Sequence, residues 1–174
     1  IQNNMQILEL SGQEDYRKKF LSNLDHIYIH PINKNNEKKI NQLFHDITAN
    51  SKSSEHILKN LTRKIKVPTA ASTTAIIDFN EFCKGYYNNS DYQIIADNFK
   101  TIFFTNIPKL NPDEINYTKR LINFIDIMYE NKINVIFYAE SKPEEIFQKG
   151  TGKFEFQRTI SRISEMQSQK YLKN

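Results

Sequence analysis

Arg158 and Arg162 are the side chains in this sequence whose type and spacing best suit chemistry on an anion. Four residues apart on a helix, they share one face, and two parallel guanidinium forks match a phosphate or a cluster of carboxylates. The plainer alternative is a solvated helix face with Arg162 paired to Glu165. Other chemistry is thinly represented. Neither G-x-x-x-x-G-K-[ST] nor G-x-G-x-x-G occurs, and four glycines leave little material for a phosphate-cradling loop. His26 and His30 are four apart, but in a segment that reads as extended, so the pair is a poor metal site; His45 and His56 stand alone. Cys83 lies among Phe79, Phe82 and Tyr86, a setting for a buried thiol rather than a nucleophile. Asp15, Asp78 and Asp91 are carboxylates without an assignable partner. The basic clusters Arg17-Lys18-Lys19 and Arg63-Lys64-Lys66 read as solvated faces.

The elements that must position these residues follow from periodicity. Met5–Leu10 reads as a short strand ended by Ser11-Gly12, and Ile27-Tyr28-Ile29 as a second extended piece stopped by His30-Pro31. Ile40, Leu43, Phe44 and Ile47 fall at helical spacing and predict an amphipathic helix over Glu37–Ala49, followed by a Ser-rich loop to Glu55. Thr62–Val67 and Ala75–Phe79 read as a hairpin joined through Pro68–Ser72. Phe79, Phe82 and Cys83 begin a helical turn. Asn88–Asp91 forms a turn that caps a helix over Tyr92–Asn98.

The second half is clearer. Thr101–Ile107 is nearly continuous apolar sequence, the pattern of a strand buried on both faces. Asn111-Pro112-Asp113-Glu114 predicts a helix start with Asn111 as cap. Ile115, Ile122, Ile125 and Tyr129 give that helix one stripe, to about Glu130. Ile133–Ala139 is another buried-type strand, so strand, helix and strand predict a right-handed βαβ unit with parallel neighbours. A short helix starts at Lys142-Pro143-Glu144-Glu145. The last element, Phe156–Tyr171, puts Ile160, Ile163 and Met166 on one side and Arg158, Arg162, Glu165 and Gln169 on the other.

The whole is 174 residues, 39% hydrophobic and 12% aromatic, enough for one compact domain or part of a larger one. Mean hydropathy is −0.64, and the sequence has no apolar run of the length an integral membrane span needs. One cysteine excludes an internal disulfide framework and is compatible with a reducing compartment. The net charge of +4 is scattered and follows heavy use of Lys, Asn and Ile, so nucleic acid is not an expected partner.

The tail Phe154-Glu155-Phe156-Gln157-Arg158-Thr159-Ile160-Ser161-Arg162-Ile163-Ser164-Glu165-Met166-Gln167-Ser168, with Tyr171-Leu172, resembles the F-x-F-x-R-T-x-S-R-L-x-E-M-Q-S-x-x-Y-L ending of the ZapE-like ATPases. Asp15-Tyr16-Arg17, Phe79-Asn80-Glu81-Phe82-Cys83, Asp91-Tyr92 with Phe99-Lys100-Thr101, Ile107-Pro108 and Arg120–Tyr129 are similar to further family motifs in the same order. Two stretches depart from the pattern: Asn88-Asn89-Ser90 before Asp91-Tyr92, and Ala139–Phe147, where the family's small residues are replaced.

The resemblance implies a P-loop ATPase related to the AAA+ class, using ATP and Mg²⁺ in cell division or protein quality control. It also implies that Walker A, Walker B and the first sensor lie upstream of Ile1. The expected fold is α/β, a parallel strand-helix-strand core with a small hairpin-bearing N-terminal part, the C-terminal portion of such an ATPase. Residues 1–60 would follow the missing nucleotide core, and 61–174 would form the α/β C-terminal part. Such a fragment would be inactive alone and bind no nucleotide or metal. Its expected partners are the missing P-loop half, cell division proteins and further copies of itself, in the cytoplasm. Arg158 and Arg162 would be trans-acting or sensor arginines toward a nucleotide held elsewhere. The competing expectation is a non-catalytic protein-interaction module, and behind both stands a nucleic-acid-binding domain using the basic clusters.

Overall fold

A computed structural model describes Tyr16, Lys19, residues 27–61 and residues 63–172. Met5–Leu10, Asp15, Arg17, Lys18 and His26 lie outside the described residues. Six strands form one sheet: β1 (Tyr28–Ile29), β2 (Ser54–Asn60), β3 (Arg63–Ala71), β4 (Thr74–Asp78), β5 (Thr101–Ile107) and β6 (Asn134–Ala139). Their spatial order is β1-β6-β5-β4-β3-β2. β1, β6, β5 and β4 run parallel, while β3 and β2 are antiparallel additions beyond β4. Among the described residues seven helices accompany the sheet: α1 (Lys34–Ile47), α2 (Phe79–Phe82), α3 (Asn89–Asn98), α4 (Ile115–Glu130), α5 (Pro143–Ile146), α6 (Lys153–Met166) and α7 (Gln169–Leu172).

The near-continuous apolar strands are buried on both faces, as their composition requires. In β5, Ile102 and Phe104 enter a large cluster with α3, α4 and α6, while Phe103 turns to the other face and meets Phe44 of α1 edge-on at 5.4 Å. In β6, Val135 and Phe137 take the first face, Ile136 and Tyr138 the second. The predicted βαβ unit is present: β5 and β6 are parallel neighbours, with Ile102 opposite Val135 and Phe104 opposite Phe137, and α4 crosses between them.

Several boundaries differ from the sequence reading. The Ser-rich loop ends early, because Ser54–Asn60 is strand β2. Its residues alternate between exposed and half-buried, so an edge strand that buries no side chain fully carries no hydrophobic signal. Pro68–Ala71 is strand, and the hairpin turns at Ser72-Thr73, with Ser72 at φ 54°. Pro68 is tolerated because it sits where the β2–β3 register shifts and before pairing with β4 begins at Thr69. Helix α3 starts at Asn89, earlier than Tyr92: Asn88 and Asp91 form a reciprocal capping box. Helix α4 is capped at Glu114, whose side chain accepts from the Asn111 N–H, so Asn111 does not cap it. The terminal element is two helices, broken at Gln167-Ser168.

Candidate functional site

Helix α6 places the two arginines. Phe156, Thr159, Ile163 and Met166 recur at helical spacing and are buried, which fixes the rotation of the helix. Ile160 is half-buried at the edge of this stripe. Arg158 and Arg162 are thereby set on the flank that faces α4. There a matching pair, Asp126 and Glu130, presents carboxylates at the same four-residue spacing. Arg158 Nη2 donates to Asp126 Oδ2 at 2.6 Å, and Arg162 Nη1 lies 2.5 Å from Asp126 Oδ1. Arg162 Nη2 reaches Glu130 Oε1 at 3.5 Å. One carboxylate therefore makes ion-pair contact with both guanidinium groups and a hydrogen bond to that of Arg158.

The two arginines differ in surroundings. The Arg158 side chain is 61% exposed and that of Arg162 18%. Arg162 also stacks on the Tyr129 ring, 4.8 Å from its centroid. The Tyr129 hydroxyl donates to Glu165 Oε2 at 2.6 Å, and that hydrogen bond pushes the phenol's pKa up. Glu165 thus pairs with Tyr129, and Arg162 with Asp126 and Glu130; the Arg162–Glu165 pairing drawn from the sequence does not form. Behind them Tyr129 stacks on Tyr171, with Lys132 over both rings, and the Tyr171 hydroxyl lies within hydrogen-bonding distance of the carbonyls of Met128, Tyr129 and Ile133. Asp126, Tyr129 and Glu130 were missed in the sequence reading, though the Asp126/Glu130 spacing mirrors that of the arginines and could have pointed to them.

The remaining candidates are spread across the fold. Cys83 is fully buried and free, and burial pushes its thiol pKa far up, which suits an inert core residue. Asp78 caps α2 through the Asn80 N–H and accepts from Asn106 Nδ2 at 2.5 Å. Asp91 is buried and joins three elements: it accepts from the Asn88 N–H and from Asn60 Nδ2, and it pairs with Arg63 at 3.2 Å. His30 lines a groove between β1 and α1 with Lys39, and the His56 ring packs edge-on against Phe99. The described residues contain no group of three or more His, Cys, Asp or Glu placed to hold a metal ion. With no phosphate-binding loop in the sequence either, the residues of this chain do not by themselves fit Mg-ATP.

A mixed sheet, four of its six strands parallel, thus carries helices on both faces and a cationic pair on one helix flank. Residues 1–174 match the AFG1-like ATPase family, and the chain belongs to it. It is 25% identical to the cell division protein ZapE of Escherichia coli K12 over 173 residues, 99% of this chain and 46% of that protein. It is 24% identical to lactation elevated protein 1 homolog B of Danio rerio over 199 residues, 95% of this chain and 40% of that protein. An uncharacterized protein of Schizosaccharomyces pombe is 24% identical over 202 residues, 99% of this chain and 44% of its own length. The chain thus spans about half the length of the curated relatives it matches or less. No solved structure matches. Among the described residues no helix is long and apolar enough to cross a membrane.

Proposed function

We propose that this chain is the C-terminal part of a ZapE-like P-loop ATPase related to the AAA+ class. In this reading ATP and Mg²⁺ are held by a separate N-terminal half, and hydrolysis serves cell division or protein quality control in the cytoplasm. Residues 1–60 follow the nucleotide core and residues 61–174 form the α/β remainder. The missing half, cell division proteins and further copies of the chain are its partners, and alone it is inactive. Family membership over the whole chain supports the ATPase class.

The observation that carries the residue-level reading is the arginine pair. Arg158 and Arg162 share one flank of α6, and Asp126 orients both. Phosphoryl transfer is catalysed chiefly by positioning and charge neutralisation, and an arginine supplied from outside the phosphate loop raises turnover by orders of magnitude when the rest of the site exists. Arg158 is exposed enough to leave Asp126 for a phosphate, and Arg162, only 18% exposed, adds a fixed positive charge beside it.

Mixing this chain with an N-terminal half bearing the P-loop tests the proposal. ATP hydrolysis rises on mixing, and titration of this chain alone with Mg-ATP gives no binding heat. Arg158→Ala and Arg162→Ala lower kcat more than they raise KM, because a charge that acts in the transition state appears in kcat. Lysine at either position restores only part of the rate, since it lacks the planar fork. Full activity in both alanine variants, or turnover by this chain alone, overturns it. A non-catalytic interaction module is the second reading. It draws on the same contact, because Asp126 already neutralises charge on both arginines.

A further inference from the structure

The outer face of the β2–β3 hairpin lies apart from the arginine flank. Six large hydrophobic side chains are exposed among the described residues, and three lie on or beside this hairpin: Ile57 at 55%, Leu61 at 98%, and Tyr86 at 94%, its carbonyl held by Arg63. Strand alternation explains the setting. Ile65 and Val67 of β3 are buried, so Lys64 and Lys66 stand on the opposite face. The register sets Lys59 directly opposite Lys64, and Ile57 opposite Lys66. Leu61 forms the tip at φ 52°, a left-handed conformation that costs a leucine energy and suits Asn or Gly. A strained, fully exposed leucine contributes nothing to the fold.

The charges are arranged to match. Lys66 pairs with Glu55 at 2.9 Å, and Arg63 pairs with buried Asp91 and donates to the Tyr86 carbonyl. Lys59 and Lys64 have no carboxylate within ion-pair distance among the described residues, and like charges directly opposed across two strands repel. Between the strand face and the Gly85–Tyr87 loop lies a cavity of about 710 Å³, with Lys64, Lys66, Tyr86 and Tyr87 among its lining and Glu55 and Glu81 on its wall.

We propose that this face docks on anionic lipid headgroups. Leu61 and Tyr86 enter the interfacial region, where an aliphatic tip and an amphipathic ring gain by burial, and Lys59 and Lys64 meet the headgroup charge. A net charge of +4 adds long-range attraction. A single-stranded nucleic acid fits less well. Tyr86 presents a ring on which one base could stack, but Ile57 and Leu61, which share this surface, offer none for its neighbours.

Flotation of the full chain with phosphatidylcholine vesicles, with and without about one-third phosphatidylserine, tests this. The chain floats with the anionic vesicles only, and added salt releases it. Leu61→Asn, which keeps the left-handed tip unstrained, and Tyr86→Ser each weaken binding by about tenfold or more. Lys59→Gln with Lys64→Gln weakens it on the order of twentyfold. All four side chains are exposed, so no variant melts below the parent, and Leu61→Asn, which relieves the left-handed strain, melts level with it or slightly higher. Failure of the parent to float, or flotation unchanged in the variants, overturns the proposal. So does tight binding of an oligothymidylate, insensitive to Leu61→Asn, without vesicle binding. The assay contains no nucleotide, so it stands or falls separately from the ATPase reading.

Discussion

Asp126 is the residue on which both candidate arginines depend. Its carboxylate is 18% exposed and touches Arg158 through one oxygen and Arg162 through the other. The two contacts are not equal. Exposed ion pairs contribute about 0–1 kcal/mol, because water screens them and long side chains lose freedom to form them. Arg162 is more enclosed and stacks on Tyr129, so it loses less by being held. A double-mutant cycle with Asp126→Ala should give coupling of about 1–3 kcal/mol with Arg162→Ala and under about 1 kcal/mol with Arg158→Ala. Chemical denaturation measures both. Equal coupling would mean that the enclosure of Arg162 adds nothing. The spacing of Arg158 and Arg162 was legible in the sequence, because i and i+4 always share a helix face. Their partner was not, because only the packing of α6 on α4 selects Asp126 from the many carboxylates available.

Helix α6 shows how an amphipathic stripe becomes a packing contact. Ile163 is 1% exposed and sits in the main core, while Ile160 lies at its rim. Ile163→Ala removes buried methyl groups and leaves a cavity, so it should cost about 2–4 kcal/mol in urea denaturation; Ile160→Ala should cost less than about half of that. The same stripe contains Thr159, buried but polar, which a hydrophobic count passes over. Elements with strong burial were readable from sequence in this way. β5 and β6 are apolar on both faces, and α4 links them with no long loop. Elements held by their neighbours were not. β2 belongs to the sheet because β3 templates it and because Asn60 and Arg63 anchor its far end on Asp91. Its own residues are too polar to announce a strand. Pro68 misled for a related reason: proline normally breaks a ladder, and here the ladder is already interrupted.

At the scale of the whole molecule, three tyrosines tie the core together through their hydroxyls. Tyr28 donates to the Ser141 carbonyl, Tyr92 to that of Phe82, and Tyr171 lies within hydrogen-bonding distance of three carbonyls in and just after the last turn of α4. Burial is the first cause that raises each phenol above its ordinary value of 10.0. The folded state therefore keeps protons that the unfolded chain gives up above about pH 10. Their contribution is full below that pH and falls as pH rises through the alkaline range. The melting temperature should be level near neutrality and drop steeply above about pH 10. Tyr171→Phe should melt lower at neutral pH, having lost its hydrogen bonds, and show a shallower alkaline drop. An unchanged alkaline slope would mean that Tyr171 ionises freely in the folded protein.

The position of β1 beside β6 governs how this chain can assemble during synthesis. Tyr28 of β1 and its acceptor Ser141 are separated by 113 residues. At ribosomal rates of about 5–20 residues per second, roughly 6–20 seconds pass between the emergence of β1 and that of its partner. Through that interval β2–β4 can pair locally, but among the described residues β1 has no strand edge to join. When β6 arrives it adds to β5, and its outer edge stays open until β1 returns to cover it. A nascent chain stalled in that interval exposes an unpaired, apolar strand edge, the kind of surface that chaperones bind and that neighbouring chains on the same message could capture.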